Sequence, residues 1–309
     1  MGSMELEPLF NDRYTRVKIS PEEEEIGGKT FDLFEEKWKR SLAWNIKNGV
    51  VTIPKKDFET EDIIIDGLNT EEISEQLARL FSGFKMVEDF LPDYMAAGSR
   101  FTRTNRGLFR WNLQWGKEEE QHGLALGSIL EQTGHKTRDQ INKEYYENLT
   151  RVWESPFSTT RQIVAHAVFQ EWYTHLAYDA LTERAKKEGA PKIARILNCI
   201  SKDETYHYAG YRDIITQIYH KADPEGTIDD VLYVGREFRM PGEILHPDSR
   251  QWIKDLREIG LLGTKETGLS GRKFVAKKIV YDTLSAFSFV PESVARKTAN
   301  EFLGKKSLN

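Results

Sequence analysis

Long helical windows that follow one another with only short breaks constrain the fold of this chain more than any other feature. Almost no window alternates apolar and polar residues with the period of two that is typical of a strand. Long helices joined by short turns pack as antiparallel neighbours, so the sequence predicts an all-α helical bundle. Five windows carry apolar residues at spacings of three and four, at about 71–98, 104–132, 137–151, 158–188 and 190–221.

These windows occupy the middle of the chain and divide it into three parts. We expect residues 70–245 to form the bundle and residues 246–309 to form a helical extension packed on it. Residues 1–69 are expected to supply an arm, a short helix at about 30–47 and a connector. The three parts are expected to make one structural domain.

The ends of the windows carry helix-terminal signals. Asn69 or Thr70 is placed to cap the first bundle helix, whose first turn would then contain the acidic pair Glu71 and Glu72. Pro191 suits the first turn of the last window, because backbone N–H groups there have no acceptor within the helix and proline lacks this group.

Composition argues against several classes of protein. The 309 residues include 49 Asp plus Glu against 44 Lys plus Arg, and this acidic balance disfavours nonspecific nucleic-acid binding. No apolar run reaches about eighteen residues, so no membrane span is expected. The single cysteine, Cys199, excludes an internal disulfide and is expected to be a small buried residue. With no secretory signal visible, we expect a cytoplasmic protein, or a plastid protein after loss of a transit peptide.

Two different helical windows each carry a Glu-x-x-His motif. Glu119 precedes His122 in WGKEEEQHG, and Glu204 precedes His207 in SKDETYHYAG. Positions i and i+3 share one face of a helix, and both faces are otherwise apolar, so each pair is expected to point into the core. One such motif alone carries little information, because this spacing is common on wet helix surfaces.

Two further glutamates interrupt apolar helix faces in the same way. Glu88 shares its face with Phe84, and Glu171 shares its face with Val168. Pro92 lies inside the Glu88 window and has no N–H to give the carbonyl of Glu88, so we predict a bend or local unwinding there.

The chain order Glu, Glu-x-x-His, Glu, Glu-x-x-His predicts a binuclear metal centre. Buried carboxylates are costly unless they are paired or metal-bound, and carboxylate oxygen with neutral imidazole nitrogen suits iron or manganese. This ligand set is typical of ferritin-like di-iron proteins, so we expect a ferritin-like four-helix bundle core with additional flanking helices. The predicted ligands are Glu88, Glu119, His122, Glu171, Glu204 and His207.

In these motifs the sequence resembles the soluble acyl-carrier-protein desaturases, of the plant stearoyl type and its bacterial relatives. That family writes W-x-x-E-E-N-R-H-G, D-E-K-R-H-E, E-E-A-L-P-T-Y and F-Q-E-R-A-T, where this chain has WGKEEEQHG, DETYHY, EDFLPDY and FQEWYT. The similarity covers roughly residues 70–245. It implies a di-iron site on the six residues named above, with two Fe²⁺ ions per chain and O₂ as co-substrate.

The resemblance also implies residue roles and partners. Thr174 matches the family's threonine beside the oxygen-binding face of the cluster, and Asp203 matches the acid that supports a ligand histidine. The implied reaction is O₂-dependent insertion of a cis double bond into an acyl chain carried on acyl carrier protein. The implied electron source is a ferredoxin-type donor that supplies two electrons, and the implied assembly is a homodimer.

Departures from the family pattern keep other functions open. Glu120 and Gln121 replace Asn-Arg, Thr205 and Tyr206 replace Lys-Arg, and Thr52 stands where the family has a tryptophan near the suspected electron route. The alternative is a di-iron monooxygenase or hydroxylase acting on a different carrier-bound or free substrate, since fold does not fix function. A ferritin-like storage protein and a radical-generating subunit are weaker readings.

An acyl substrate on a carrier protein would need a channel and a dock. Phe90, Tyr94, Met95 and Tyr178 are expected either to line the channel or, equally well, to be ordinary core packing residues. The carrier is acidic, so its dock should be basic. The candidates are the arginine turn (Arg100, Arg103, Arg106 and Arg110), Lys55 with Lys56, and Arg272 with Lys277 and Lys278. For each of them an ordinary solvated face is the favoured alternative. His175 is expected to be a satisfied core histidine; the alternatives are a hydrogen-bond donor to a ligand or a ligand itself.

Overall fold

The computed structural model describes residues 68–240, 249–262 and 271–305, together with the isolated positions Glu25, Lys29 and Leu33. All regular elements in these ranges are helical, and no strand occurs in them. The all-α prediction is therefore confirmed. Apart from Leu33, the predicted short helix at 30–47 lies outside the described residues, as do Thr52, Lys55 and Lys56.

The described part contains helices α1 (Glu75–Glu88), α2 (Leu91–Thr102), α3 (Arg106–Gln132), α4 (Arg138–Asn148), α5 (Thr160–Lys187), α6 (Pro191–Asp213), α7 (Pro224–Glu237), α8 (Ser249–Glu258) and α9 (Glu292–Gly304). A single 3₁₀ turn, Leu68–Thr70, precedes α1. A π-helical stretch, Ile214–Tyr219, and the short helix His220–Ala222 continue α6. A second π-helical stretch, Val275–Tyr281, joins the short helices Arg272–Phe274 and Asp282–Ser285.

Four of these helices form the ferritin-like bundle. Helix α1 packs against α3 and α5, and α6 packs against the same two helices. The remaining helices flank this core: α2 lies on α3 and α5, α4 and α8 lie on α1, and α7 lies on α5. Helix α9 packs on α7. Buried apolar side chains from all these helices form one continuous cluster.

The first predicted window contains two helices instead of one. Helix α1 ends at Glu88 and α2 begins at Leu91, so the chain bends between them as the position of Pro92 predicted. Pro92 lies in the first turn of α2, where its missing N–H leaves no bond unmade. The proline therefore starts a new helix instead of kinking an existing one, and it leaves Glu88 at the very end of α1.

The predicted helix cap at Asn69 or Thr70 is wrong. Ser74 caps α1, and its hydroxyl accepts a hydrogen bond from a backbone N–H of the first turn. Glu71 accepts hydrogen bonds from two backbone N–H groups in the first turn of α6, at 2.7 and 2.9 Å. Helix α6 has no side-chain cap of its own. The acid expected to serve the start of α1 therefore serves the positive end of a different helix.

Glycines with positive φ make the short reversals between helices. Gly134 (φ 78°) follows α3, and Gly189 (φ 80°) follows α5. After Gly189 the N–H of Ala190 bonds to the carbonyl of Ala185 at 3.0 Å, which is the hydrogen bond of a Schellman turn. This turn lets α6 start immediately and pack antiparallel along α5, so that side chains at the middle of both helices can meet.

The structure also bears on two further expectations, about membrane spans and about Cys199. No helix of the described residues combines the length and apolar character that a bilayer span requires. Cys199 is half-buried, so the expectation of a buried residue is wrong. The buried face of α6 is formed by residues such as Leu197 and Ile200, and the cysteine lies at the edge of that face.

Candidate metal centre

The structure brings the six predicted ligands together at the centre of the bundle. Glu119 and Glu204 belong to two overlapping groups, within each of which the potential ligand atoms lie within 4.8 Å of one another. The first group adds Glu88 and His122 to these two glutamates, and the second adds Glu171 and His207. Each group could hold one metal ion, with two carboxylates shared between the ions.

Buried atoms in this cluster lack hydrogen-bond partners. The exposed fraction of the six residues ranges from 0 % for His207 to 7 % for Glu88. A buried polar atom without a partner costs about 1–3 kcal/mol, and a cation bound among several of them would remove that cost. Carboxylate oxygen and imidazole nitrogen are donors that fit iron or manganese. The atoms without partners are both carboxylate oxygens of Glu204, Oε1 of Glu171, Nδ1 of His122 and Nδ1 of His207.

Both histidines turn Nδ1 toward the carboxylates of the cluster. Nδ1 of His207 lies 3.1 Å from Oε1 of Glu119 and 3.4 Å from Oε2 of Glu171. Nδ1 of His122 lies 3.4 Å from Oε2 of Glu119 and 3.4 Å from Oε1 of Glu204. The Nδ1 atoms are therefore the imidazole atoms available to a metal ion.

The opposite ring nitrogens point to two acids outside the cluster. Nε2 of His122 lies 3.4 Å from Oδ2 of Asp203, as expected from the family resemblance. Nε2 of His207 lies 2.8 Å from Oε2 of Glu118, a contact that sequence reasoning missed. The sequence contained a signal for it, because an acid stands immediately before the glutamate in both Glu-x-x-His motifs. Each of these acids contacts the histidine of the other motif.

Tyr178 contacts the cluster directly. Its hydroxyl donates a hydrogen bond to Oε1 of Glu88 at 2.7 Å, and the side chain is fully buried. It was expected as a wall of the acyl channel, but it lines neither apolar cavity described below. The reason is its position seven residues after Glu171, two helical turns along α5, where its face meets the end of α1.

Burial and crowding shift the pKa values of the cluster. Burial is the largest cause that raises the pKa of Glu88 and of Glu171, and the neighbouring carboxylates add to it. Burial alone would lower the pKa of His122 and His207, but hydrogen bonds to acids, Asp203 and Glu118 foremost, raise both well above the usual range. A cation must displace these protons, so metal affinity is expected to fall as pH falls.

Thr174 and His175 occupy different environments. The Thr174 hydroxyl is buried and donates to the carbonyls of Gln170 and Glu171, at 3.2 and 3.1 Å. The half-buried His175 has Nδ1 at 2.9 Å from the Ser201 hydroxyl, and it belongs to neither group of potential ligands. His175 therefore fits the interpretation as a core histidine that is satisfied by hydrogen bonds.

Two apolar cavities border the cluster. The larger, of about 60 Å³, reaches Glu171 and is lined by Trp111, Trp153 and Tyr94 among others. The smaller, of about 20 Å³, is lined by both Glu88 and Thr174, together with apolar and aromatic side chains. Of the four expected channel walls, Tyr94 lines a cavity, and Phe90, Met95 and Tyr178 line neither.

Phe90 and Met95 are occupied by packing between helices. Phe90 is fully buried in the break between α1 and α2. The sulfur of Met95 lies over Gly116 of α3, where a Cβ would approach it to 2.3 Å. Their spacing on the helix matched that of channel walls, but it equally matches that of core residues.

The fold and the cluster define a class of protein. Two bundle helices each contribute a glutamate and two others each contribute a Glu-x-x-His pair, which is the pattern of ferritin-like carboxylate proteins with two metal ions. A family model described as fatty acid desaturase matches residues 43–258, which is more than half of the 309-residue chain. The chain belongs to this fatty acid desaturase family.

Individual relatives are similar at modest identity. The chain is 28 % identical over 164 residues to acyl-[acyl-carrier-protein] 6-desaturase of Thunbergia alata, covering 50 % of this chain and 42 % of the relative. It is 25 % identical over 186 residues to the chloroplastic stearoyl-[acyl-carrier-protein] 9-desaturase of Solanum commersonii, covering 57 % of this chain and 47 % of the relative. The matched segments thus span less than half the length of these relatives. The family resemblance read from the motifs is confirmed.

Proposed function

We propose that this protein is an O₂-dependent di-iron desaturase that inserts a cis double bond into an acyl chain carried on acyl carrier protein. The proposed metal ligands are the six clustered residues, Glu88, Glu119, His122, Glu171, Glu204 and His207. The observation that carries the proposal is a cluster of buried, unpartnered carboxylate and imidazole atoms that lies against apolar cavities. The names of the desaturase relatives supply the acyl carrier protein as the carrier of the substrate.

The chemistry needs a cofactor because an unactivated methylene has no acidic hydrogen. Two ferrous ions, when bound, supply the reduction of O₂ and the removal of one hydrogen from each of two adjacent methylenes. The overall balance is CH₂–CH₂, O₂, two electrons and two protons giving CH=CH and two waters. A ferredoxin-type donor is the proposed source of the two electrons.

The side chains of this protein position the substrate and the ligands. One apolar cavity reaches Glu171 and the other reaches Glu88, so an extended chain that passes the cluster would occupy both. Apolar walls hold the chain by burial and keep bulk water away from the reacting carbons. Asp203 and Glu118 fix the ring orientation of the two histidines.

Thr174 is proposed as a catalytic residue because of where its hydroxyl lies. The residue lines the smaller cavity beside Glu88, and the hydroxyl donates to main-chain carbonyls of its own helix. A threonine hydroxyl can rotate from such a bond and offer its proton to an oxygen atom in the cavity. Tyr178, which donates to Glu88, would hold that carboxylate in place while this happens.

The dock for the carrier protein is proposed at the arginine turn. The four arginines are exposed around the junction of α2 and α3. Thr102 and Leu108, near the same junction, line the larger apolar cavity. Arg272 is a weaker candidate, because it donates to the carbonyl of Phe302 and serves the local packing of α9. A homodimer remains part of the proposal.

The proposed activity can be tested directly. The chain is loaded with Fe²⁺ without oxygen, and ferredoxin, its reductase, O₂ and acyl carrier proteins with different acyl lengths are added. Mass spectrometry of the acyl chains should show loss of two hydrogens, and metal analysis should show two irons per chain. A Glu204→Gln variant, which lacks a carboxylate shared by both groups, serves as the control and should give neither result.

Other outcomes would assign a different function. Gain of one oxygen by the acyl chain would identify the monooxygenase alternative. Uptake of two irons with no change in any acyl chain, even with reductant present, would point to metal storage. Failure to bind iron in the wild-type chain would refute the centre itself.

A further inference from the structure

A third cavity, of about 320 Å³, connects the first ligand group to the protein surface. Its wall includes the buried Glu88 and Glu119, which belong to that group. It also includes the exposed residues Glu120, Asn142 and Tyr146, so the same cavity reaches solvent. The cavity lies between α1, α3 and α4, and neither of the apolar cavities shares this lining apart from Glu88.

About half of the lining of this cavity is polar, and we call it the polar cavity to distinguish it from the two apolar ones. The buried residues Lys85, Asp89 and Ser128 lie in its wall, and Nζ of Lys85 bonds to Oδ1 of Asp89 at 2.7 Å. Gly127 also lines it, where a Cβ would already lie 3.3 Å from Cε of Lys85. A larger residue at position 127 would therefore push into the space beside this ion pair.

The charges along the cavity favour a cation. Both positively charged residues in the wall are neutralised by an ion pair, Lys85 with Asp89 at 2.7 Å and Arg138 with Glu131 at 2.5 Å. The other carboxylates in the wall are Glu120, which is exposed, and Glu119 and Glu88, which are buried members of the first ligand group.

The apolar cavities are poor routes for a metal ion. Among the described residues that line them, the carboxylates are the predicted ligands Glu171 and Glu88 themselves. Moving an ion from water into apolar surroundings is strongly unfavourable, because the ion loses its hydration. A buried metal site needs a path from solvent, and in a polar cavity the ion can keep part of its water and exchange the rest for carboxylate oxygens.

We propose that the polar cavity is the route by which divalent metal ions reach the buried ligands, with Glu120 gathering ions at its mouth. This inference rests on the metal centre of the proposed function. Glu120 stands where the desaturase motif quoted above has asparagine. The carboxylate at the mouth is therefore a feature of this chain and not of that motif.

The test measures how fast metal binds, independently of catalysis. The full chain is freed of metal by chelation and mixed with Co²⁺, and the visible absorption of bound Co²⁺ is followed by stopped flow. Two variants alter the route: Glu120→Gln removes the charge at the mouth, and Leu124→Trp fills the cavity that Leu124 lines. Each has a control with the same substitution outside the cavity, Glu183→Gln and Leu149→Trp, at residues that do not line it.

We expect Glu120→Gln to slow Co²⁺ binding about threefold to tenfold, with a weaker dependence on salt, since steering by charge fades with ionic strength. Leu124→Trp should slow it about tenfold or more by obstruction. Both variants should reach the same final Co²⁺ content as wild type, which also shows that they are folded. Wild-type rates in either variant, with full Co²⁺ content, would overturn the route alone. Absence of Co²⁺ absorption in wild type would overturn the metal centre and the route together.

Discussion

Among single residues, the two acids that contact the histidines of the cluster lead to a specific prediction. Asp203 and Glu118 each precede a predicted ligand glutamate and each contact the histidine of the opposite motif, at 3.4 and 2.8 Å. The two contacts cross between α3 and α6, so they hold both imidazoles with Nδ1 facing inward. An acid at Nε2 also makes the imidazole a stronger metal ligand.

Removing either charge should weaken metal binding. Asp203→Asn and Glu118→Gln keep the size of the side chain but lose the carboxylate that orients the ring. We expect a 10- to 100-fold loss in Co²⁺ affinity, the typical effect of losing such a partner, measured by competition with a chelator. Asp229→Asn, on the exposed face of α7, is the control. An unchanged affinity in the Glu118 variant would mean that this acid only packs against the ring.

His166 should make stability depend on pH. It is buried among aromatic rings including Trp153 and Phe157, and burial lowers its pKa to about 4. An unfolded histidine has a pKa of about 6.5. Between that pH and about pH 4 the imidazole is therefore protonated in the unfolded state but stays neutral in the folded state. Stability is therefore lost as pH falls from about 6.5 toward about 4.

The magnitude follows from the same pKa difference. Between pH 7 and pH 5 the loss from His166 amounts to about 2 kcal/mol. The free energy of unfolding of wild type and His166→Phe can be measured in urea at both pH values. It should fall less between pH 7 and pH 5 in the variant than in wild type. Because other titrating groups are common to both proteins, they cancel in the comparison. Equal changes in the two proteins would show that His166 is protonated as readily in the folded state as in the unfolded one.

At the scale of helices, the spacing of apolar residues predicted where helices form but not which distant residues contact one another. The spacing of apolar residues located α3, α5 and α6 to within a few residues, because each buries one face; for α6 the match includes its continuation to Ala222. The partner of Glu71 was not predictable, because the N–H groups it caps lie more than a hundred residues away in the chain. The same holds for Tyr178, whose contact with Glu88 depends on how α5 meets α1.

The cap supplied by Glu71 should contribute measurably to stability. Glu71→Ala leaves two backbone N–H groups at the start of α6 without their acceptor and removes a negative charge from the positive end of the helix. A loss of about 1–2 kcal/mol in the free energy of unfolding is expected, measured by urea denaturation. Glu72→Ala is the matched control, because Glu72 is exposed. Equal losses in both variants would assign the effect to the first residues of the bundle and not to the cap.

Across the whole molecule, the bundle, the candidate centre and the cavities differ in how far the sequence could predict them. Two Glu-x-x-His motifs and two mid-face glutamates were enough to predict which four helices would meet. The cavities were not predictable, because each is the space that several helices leave unfilled. Two of the expected channel walls, Phe90 and Met95, fill contacts between helices instead. The larger apolar cavity is lined by Trp111 and Trp153, which were not expected there.

The arginine turn makes a prediction about the molecule as a whole. If an acidic carrier protein docks there, reversing charge in Arg103→Glu with Arg106→Glu should raise its dissociation constant about tenfold or more and weaken its dependence on salt. Iron content should not change, because none of the potential ligands lies on this junction. Binding can be measured by titrating labelled acyl carrier protein.

The control for this prediction applies the same change of charge elsewhere. Arg296→Glu with Lys297→Glu alters two exposed residues of α9 and shifts the net charge of the chain by the same amount. If only the α2–α3 variant loses affinity, the effect is local and the arginine turn is part of the dock. If both variants lose affinity equally, the carrier senses the overall charge of the chain. If neither variant loses affinity, the next charges to reverse are those of Lys277 and Lys278, because both residues are exposed.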